Sequence, residues 1–243
     1  MKKLAIIPAR YASSRFPGKP LLDLAGKTMI QRVWEGVTNS NQFNEVVVAT
    51  DHEKIASHVK AFGGKAILTK ETHKSGTDRC GEVIESYPNF DIVVNIQGDE
   101  PLVDAEQLRV LIAAFEDETV EIATLGSPKI SIADIQDPNR IKIVINHQSD
   151  ALYFSRSPIP YERNAEGYPY LKHIGLYGFR AKTLAKLVQL TPTSIEKTES
   201  LEQLRWMYYG YNIRVVETDI ETPNIDTPED VEVVLGKIKS GKL

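Results

Sequence analysis

The sequence predicts an α/β fold with a mostly parallel sheet and helices on both faces. Three observations carry this. Short β-branched apolar runs alternate with segments whose apolar residues recur every three or four positions. That rhythm lasts to about residue 120 and then gives way to strands without regular intervening helices. The 243 residues are 42% hydrophobic and 26% charged, the profile of an ordinary soluble globular protein of one large or two small domains.

Leu4–Ile7, Glu45–Ala49, Ala66–Thr69 and Ile92–Ile96 read as buried strands. Between them, Met29–Val37, Ile55–Phe62 and Cys80–Tyr87 read as helices. A further helix is expected over Ala105–Phe115, with Asp104 as its N-cap. Glu121–Leu125, Ile141–Ile145, Ala151–Phe154 and Ile174–Phe179 then read as strands of an inserted or flanking mixed sheet. Helices are expected at Ala181–Gln189 and Glu199–Tyr208, and a strand at Ile213–Val216. The last helix has a clear start: Thr227 caps, Pro228 fits the first turn, and Glu229 and Asp230 suit its positive end. Asn164–Pro169 reads as an exposed loop.

Net charge is −4, from 29 Lys and Arg against 33 Asp and Glu, so the basic excess of a nucleic-acid binder is missing. The single cysteine, Cys80, excludes an intrachain disulfide and a Cys-rich metal site. The first apolar run is too short for a signal peptide, and no stretch approaches a membrane span, so the protein reads as cytoplasmic with no membrane insertion.

The most informative stretch is IIPARYASSRFPGKP, residues 6–20. It leaves the first strand and enters a loop with three cations, Arg10, Arg15 and Lys19, among small residues. Ligands of open α/β sheets bind beyond the carboxyl ends of strands, so this loop suits a polyphosphate; a solvated basic loop is the alternative. Gln97-Gly98-Asp99-Glu100-Pro101 follows the strand Ile92–Ile96. Asp99 there can hold a divalent cation against phosphates, or the segment is a plain Asp/Gly turn. Asp226 precedes the last helix and is not needed to cap it. With Asp99 it makes two carboxylates, enough for Mg²⁺. Ser75-Gly76-Thr77-Asp78-Arg79 opens a helix; it can read a base or ribose, or simply cap. Gly26-Lys27-Thr28 looks like the end of a P-loop, but Leu21 occupies the required earlier glycine position.

Taken in order, IIPARYASSRFPGKP, KSGTDR, VVNIQGDEPLV, ALYFSRSPIPY, KHIGLYGFR, SLEQLR and IDTPEDVE resemble the bacterial 3-deoxy-manno-octulosonate cytidylyltransferases, also called CMP-Kdo synthetases. The resemblance runs from residue 4 to about residue 235. Sialic-acid-activating relatives share the IPAR idea but lack the GKP ending and the FSR and HIGLY pattern. Sugar-1-phosphate nucleotidyltransferases carry a Gly-rich loop in place of Pro8-Ala9-Arg10.

The resemblance implies a Rossmann-like nucleotidyltransferase domain over residues 1–243, in which 121–180 forms a smaller mixed-sheet region for substrate and dimer contacts. It implies a homodimer, a Mg²⁺ cofactor, and the reaction CTP + Kdo → CMP-Kdo + pyrophosphate for lipopolysaccharide biosynthesis. The alternatives are the 8-amino-3,8-dideoxy analogue of Kdo as substrate, or a nucleotide-binding protein without catalysis. Two anions must meet in this reaction, and each uncompensated pair costs about 4 kcal/mol at ~4 Å and an effective dielectric of ~20. Arg10, Lys19 and Asp99 are therefore expected as catalytic residues, with Asp99 and Asp226 holding the metal. Pro8, Ala9, Arg10, Arg15, Lys19, Ser75, Asp78 and Arg79 are expected to bind the nucleotide. Arg156 and His173 are expected to meet the sugar carboxylate, and Gln97, Tyr177, Glu202 and Gln203 its hydroxyls.

Overall fold

The computed structural model describes residues 1–12, 16–164 and 167–240. The chain forms two compact units, Met1–Arg109 with Thr222–Leu243, and Val110–Glu221. The change of rhythm after about residue 120 falls within the second unit.

In the first unit, β1 (Lys3–Ala9), α1 (Met29–Asn39), β2 (Glu45–Thr50), α2 (Glu53–Ala61), β3 (Lys65–Leu68), α3 (Gly76–Ile84), β4 (Ile92–Asn95) and the start of α4 (Ala105–Ala113) follow in the expected alternation. β1 pairs in parallel with β2 and with β4, and β2 in parallel with β3, giving the order β3-β2-β1-β4. Leu4–Ile7 and all of β4 are fully or nearly fully buried, as central parallel strands require. β3 is the edge and leaves Leu68 half exposed. Asp104 caps α4 as expected, accepting from the backbone of Glu106 at 2.8 Å and Gln107 at 3.2 Å. The C-terminal helix, Pro228–Ser240, starts where Thr227-Pro228 predicts.

The second unit holds β5 (Ile122–Ser127), α5 (Ile132–Gln136), β6 (Lys142–Ile145), β7 (Ala151–Ser155), β8 (Leu171–Arg180), α6 (Ala181–Leu187), α7 (Ser194–Glu199), α8 (Gln203–Tyr208) and β9 (Arg214–Glu217). Its sheet is mixed: β5 runs antiparallel to β8 and parallel to β9, and β6 lies antiparallel to β7 and β8. The single helix expected over Glu199–Tyr208 is instead two. Ser200 adopts a left-handed φ of 51° and ends α7, whose last turn accepts the Leu201 amide. A capping box from Thr193 to Glu196 starts α7 six residues before the expected helix. Arg205 then forks onto the Glu196 carboxylate and ties α8 to α7.

Gly178 of β8 lies against the core. A Cβ there would stand 2.7 Å from the Phe115 ring, and that ring is 1% exposed. Gly178→Ala should therefore destabilise the protein by about 1–3 kcal/mol through overpacking. Urea denaturation checks this, and an unchanged midpoint would contradict the packing.

Candidate active site

In the order β3-β2-β1-β4 the chain leaves β1 toward one side and returns to β4 on the other. The carboxyl ends of β1 and β4 therefore flank a topological switch point, where open α/β sheets place ligands. The segment after β1 is the cationic loop, and the segment after β4 is Gln97–Glu100. Glycine lets them close up. A Cβ on Gly98 would fall 2.4 Å from the Pro8 carbonyl oxygen, and one on Gly76 would fall 3.4 Å from the Pro8 ring. Three segments distant in sequence thus gather around Pro8.

The cationic loop is pinned at its base. The Gly18 N–H donates to the Tyr11 carbonyl at 3.0 Å, with Gly18 at φ 71°, and a single 3₁₀ turn follows over Lys19–Leu21. This aims the Lys19 ammonium at two acids. Nζ donates to Asp99 Oδ2 at 2.8 Å and to the Ile225 carbonyl at 2.6 Å, and it lies 4.0 Å from Asp226 Oδ1. The Ile225 N–H in turn donates to the Asp99 carbonyl at 2.9 Å. Ile225 can hold this position because its side chain is buried with Leu24, Met29 and Val234. Asp230 accepts from the backbone N–H of Asp226 and Thr227 at 2.8 and 2.7 Å, fixing Asp226 at the helix start. Lys19, Asp99 and Asp226, singled out from three stretches of sequence, form one cluster.

Among the described residues no group of three or more His, Cys, Asp or Glu could hold a metal ion. The donors at hand are two carboxylates already converging on one cation. An all-oxygen pair of this kind fits Mg²⁺, which takes one or two carboxylates and completes its octahedron with water and phosphate oxygens. Burial pushes the neighbouring Glu100 up to about 8, with the Asp99 charge adding to the shift. At neutral pH Glu100 is thus mostly uncharged.

Pro8 and Ala9 lie within β1, which runs two residues past the expected Ile7, and Arg10 is exposed with no ion pair among the described residues. Arg15 lies outside the described residues. Ser75 and Asp78 form a reciprocal capping box at α3, the plainer of their two readings. Arg79, expected on the nucleotide, has a side chain 3% exposed that pairs with Asp51 at 3.0 Å and with Thr69. Gln97 sits half-buried between β4 and Gly98. Sequence reasoning missed Asn95, which is 3% exposed with an Oδ1 that has no hydrogen-bond partner. Its signal was an amide ending an otherwise apolar strand.

The other predicted residues lie in the second unit. Between Thr124 and Leu125 the β5–β8 register slips, so Thr124 faces Tyr177 while Leu125 faces Ile174. The Thr124 hydroxyl fills the bulge, donating to the Leu176 carbonyl at 2.9 Å and meeting His173 Nε2 at 3.0 Å. With its own proton so used, it accepts one from His173, which assigns the Nε2–H tautomer. Burial pushes His173 down to about 3. His173, expected at the sugar carboxylate, is thus a buried neutral ring. Tyr177 is packed edge-on against Trp206 at 5.1 Å, and its buried hydroxyl lies beside the Thr124 side chain. Burial, with Glu202 adding charge, pushes the phenol well above its usual range and keeps its proton in place. Gln203 is 5% exposed, with Nε2 unpartnered among the described residues. Glu202 stands at the start of α8, 3.8 Å from Arg205. Arg156 is held by the carbonyls of Glu199 at 2.6 Å, Pro138 at 2.9 Å and Ser200 at 3.4 Å. Carbonyls orient a guanidinium without neutralising it.

The family described as "Cytidylyltransferase" matches residues 4–218. The chain is 51% identical over 242 residues to the 3-deoxy-manno-octulosonate cytidylyltransferase of Bacteroides thetaiotaomicron, covering 96% of each. It is 48% identical to that of Escherichia coli, covering 96% of this chain and 94% of the relative. A solved structure of CMP:2-keto-3-deoxy-manno-octonic acid synthetase complexed with CTP superposes with a TM-score of 0.95 at 46% identity, covering 99% of this chain and all of that one.

Because His173 is held neutral to about pH 3 while an unfolded imidazole protonates near 6.5, the unfolded chain binds more protons between those values. Stability from this site is present above about pH 6.5 and is lost as pH falls. His173→Gln should flatten the decline of unfolding free energy between pH 7 and pH 5. Denaturant titrations at several pH values read the slope, and an unchanged slope would contradict a buried neutral ring.

Proposed function

The chain belongs to the 3-deoxy-manno-octulosonate cytidylyltransferase family, and on that premise we propose that this nucleotidyltransferase joins CTP to Kdo, giving CMP-Kdo and pyrophosphate. The observation that carries the reading is Lys19 held between Asp99, Asp226 and the Ile225 carbonyl at the switch point of the first unit. Arg10 and Lys19 grip the triphosphate and neutralise the pyrophosphate as it leaves, and Pro8 and Ala9 offer close backbone to the nucleotide. Asp99 and Asp226 would hold Mg²⁺. When bound, the ion supplies positive charge at the phosphate oxygens and eases loss of the sugar hydroxyl's proton. The anomeric oxygen attacks the α-phosphorus in line, the bond to the pyrophosphate oxygen breaks, and the hydroxyl proton passes to the Asp99 carboxylate.

The acid sugar is read by the second unit. Gln203 offers a buried Nε2 with no partner among the described residues, and leaving such a group unmet costs about 1–3 kcal/mol. A ligand with hydroxyl or carboxylate oxygens would satisfy it, with the Tyr177 phenol beside it. Arg156, oriented but not neutralised, supplies the charge for the sugar carboxylate. Glu202 and Gln97 add polar contacts.

No helix among the described residues is long and apolar enough to cross a membrane. We place the enzyme in the cytoplasm, its product serving lipopolysaccharide biosynthesis. A homodimer through the second unit is supported by β7, whose strand partner among the described residues is β6 and which exposes Leu152.

With CTP and Mg²⁺, purified protein should release pyrophosphate only when Kdo is added. Binding of CTP without release from Kdo or its 8-amino analogue would sink the synthetase reading, and release from the analogue alone would reassign the substrate. Asp99→Asn should lower kcat by about 10²-fold or more while leaving the melting temperature nearly unchanged. Retained turnover would remove Asp99 from the chemistry.

A further inference from the structure

Asp51 directly follows β2 and belongs to none of the loops described above, yet its two carboxylate oxygens reach both the cationic loop and the start of α3. Oδ1 accepts the Tyr11 N–H at 3.0 Å, and Oδ2 accepts from Arg79 Nη2 at 3.0 Å. Arg79 also donates to the Thr69 hydroxyl, and Thr69 donates back to the Thr50 carbonyl beside Asp51, from its N–H at 2.8 Å and its hydroxyl at 3.1 Å. On the loop side, Tyr11 is gripped three ways. Asp51 holds its N–H, Gly18 holds its carbonyl at 3.0 Å, and its ring stacks on His52 with centroids 4.0 Å apart. On the helix side, Arg79 directly follows Asp78, which closes the capping box at the start of α3. The side chains of Arg79 and Asp51 are 3% and 11% exposed.

We infer that Asp51 and Arg79 are positioning residues: a buried ion pair that sets the cationic loop and the Ser75–Asp78 turn at one spacing, so that both meet the nucleotide together. A buried pair is weak evidence for stability, because apolar replacements are often neutral or better. What distinguishes this one is where its hydrogen bonds end. One ends on the peptide that opens the cationic loop, and the other starts one residue past the cap of the second segment. Arg79 thereby acts on the nucleotide through Asp51 rather than by contact. The inference rests on the CTP reading.

Asp51→Asn keeps the shape and an acceptor for Tyr11 but leaves the Arg79 charge unpaired. Arg79→Lys keeps the charge but loses the fork that reaches Asp51 and Thr69 at once. In pyrophosphate-release assays each should raise KM for CTP about tenfold, with kcat within about twofold and KM for Kdo unchanged. A merely structural role would lower kcat through loss of active protein and leave KM for CTP alone; that result, or no change, overturns the inference. Hydrogen exchange on the wild-type enzyme is independent of variant folding. Added CTP should slow exchange at Tyr11, Asp51 and Ser75–Arg79 together, and slowing at Tyr11 alone overturns it. Wild-type protein that releases no pyrophosphate with Kdo would instead refute the synthetase reading, while the exchange experiment still judges the brace if CTP binds.

Discussion

Lys19 is the point on which the first unit's chemistry turns. Its ammonium meets Asp99, 80 residues away, and the Ile225 carbonyl, 206 residues away. Such a contact needs every intervening element in place. The parallel order β3-β2-β1-β4 brings the ends of β1 and β4 side by side. Gly98 lets the second loop approach the first, and the buried Ile225 side chain anchors the return of the chain. The contact is charge-assisted and partly shielded, with Lys19 and Asp99 side chains 15% and 29% exposed, so it orders its partners more firmly than a surface pair would. It also brings two carboxylates, Asp99 and Asp226, to one ammonium.

The second unit follows another logic, that of a donor kept waiting. A mixed sheet with a bulge lets Thr124 fix His173 and turns Tyr177 toward Trp206. Gln203 then carries a buried Nε2 that nothing in the described protein satisfies, a cost that stability alone does not explain.

Much of this was legible in the sequence, for physical reasons. Parallel strands buried on both faces leave nearly unbroken apolar runs, so β1, β2 and β4 stand out. Lys19 and Asp99 were legible as charges beside glycine near strand ends, and Asp226 as a carboxylate before a helix that it is not needed to cap. Other features were not. Ser200 takes a left-handed conformation that its identity does not announce, so two helices read as one. Arg79 carries the same charge whether it faces a phosphate or Asp51, and only tertiary packing decides. His173 reads as a cation from composition, and burial removes that charge. Asn95 hides in an apolar strand, and its unmet oxygen exists only once the strand is packed.

The central claim is that Asp99 and Asp226 together hold a divalent cation against the nucleotide. The most direct test follows Mn²⁺ by electron paramagnetic resonance, titrated into protein with CTP, for wild type and Asp226→Asn. The account predicts tight CTP-dependent binding in the wild type and a loss of about tenfold or more in the variant. Equal affinity in the two proteins would contradict it.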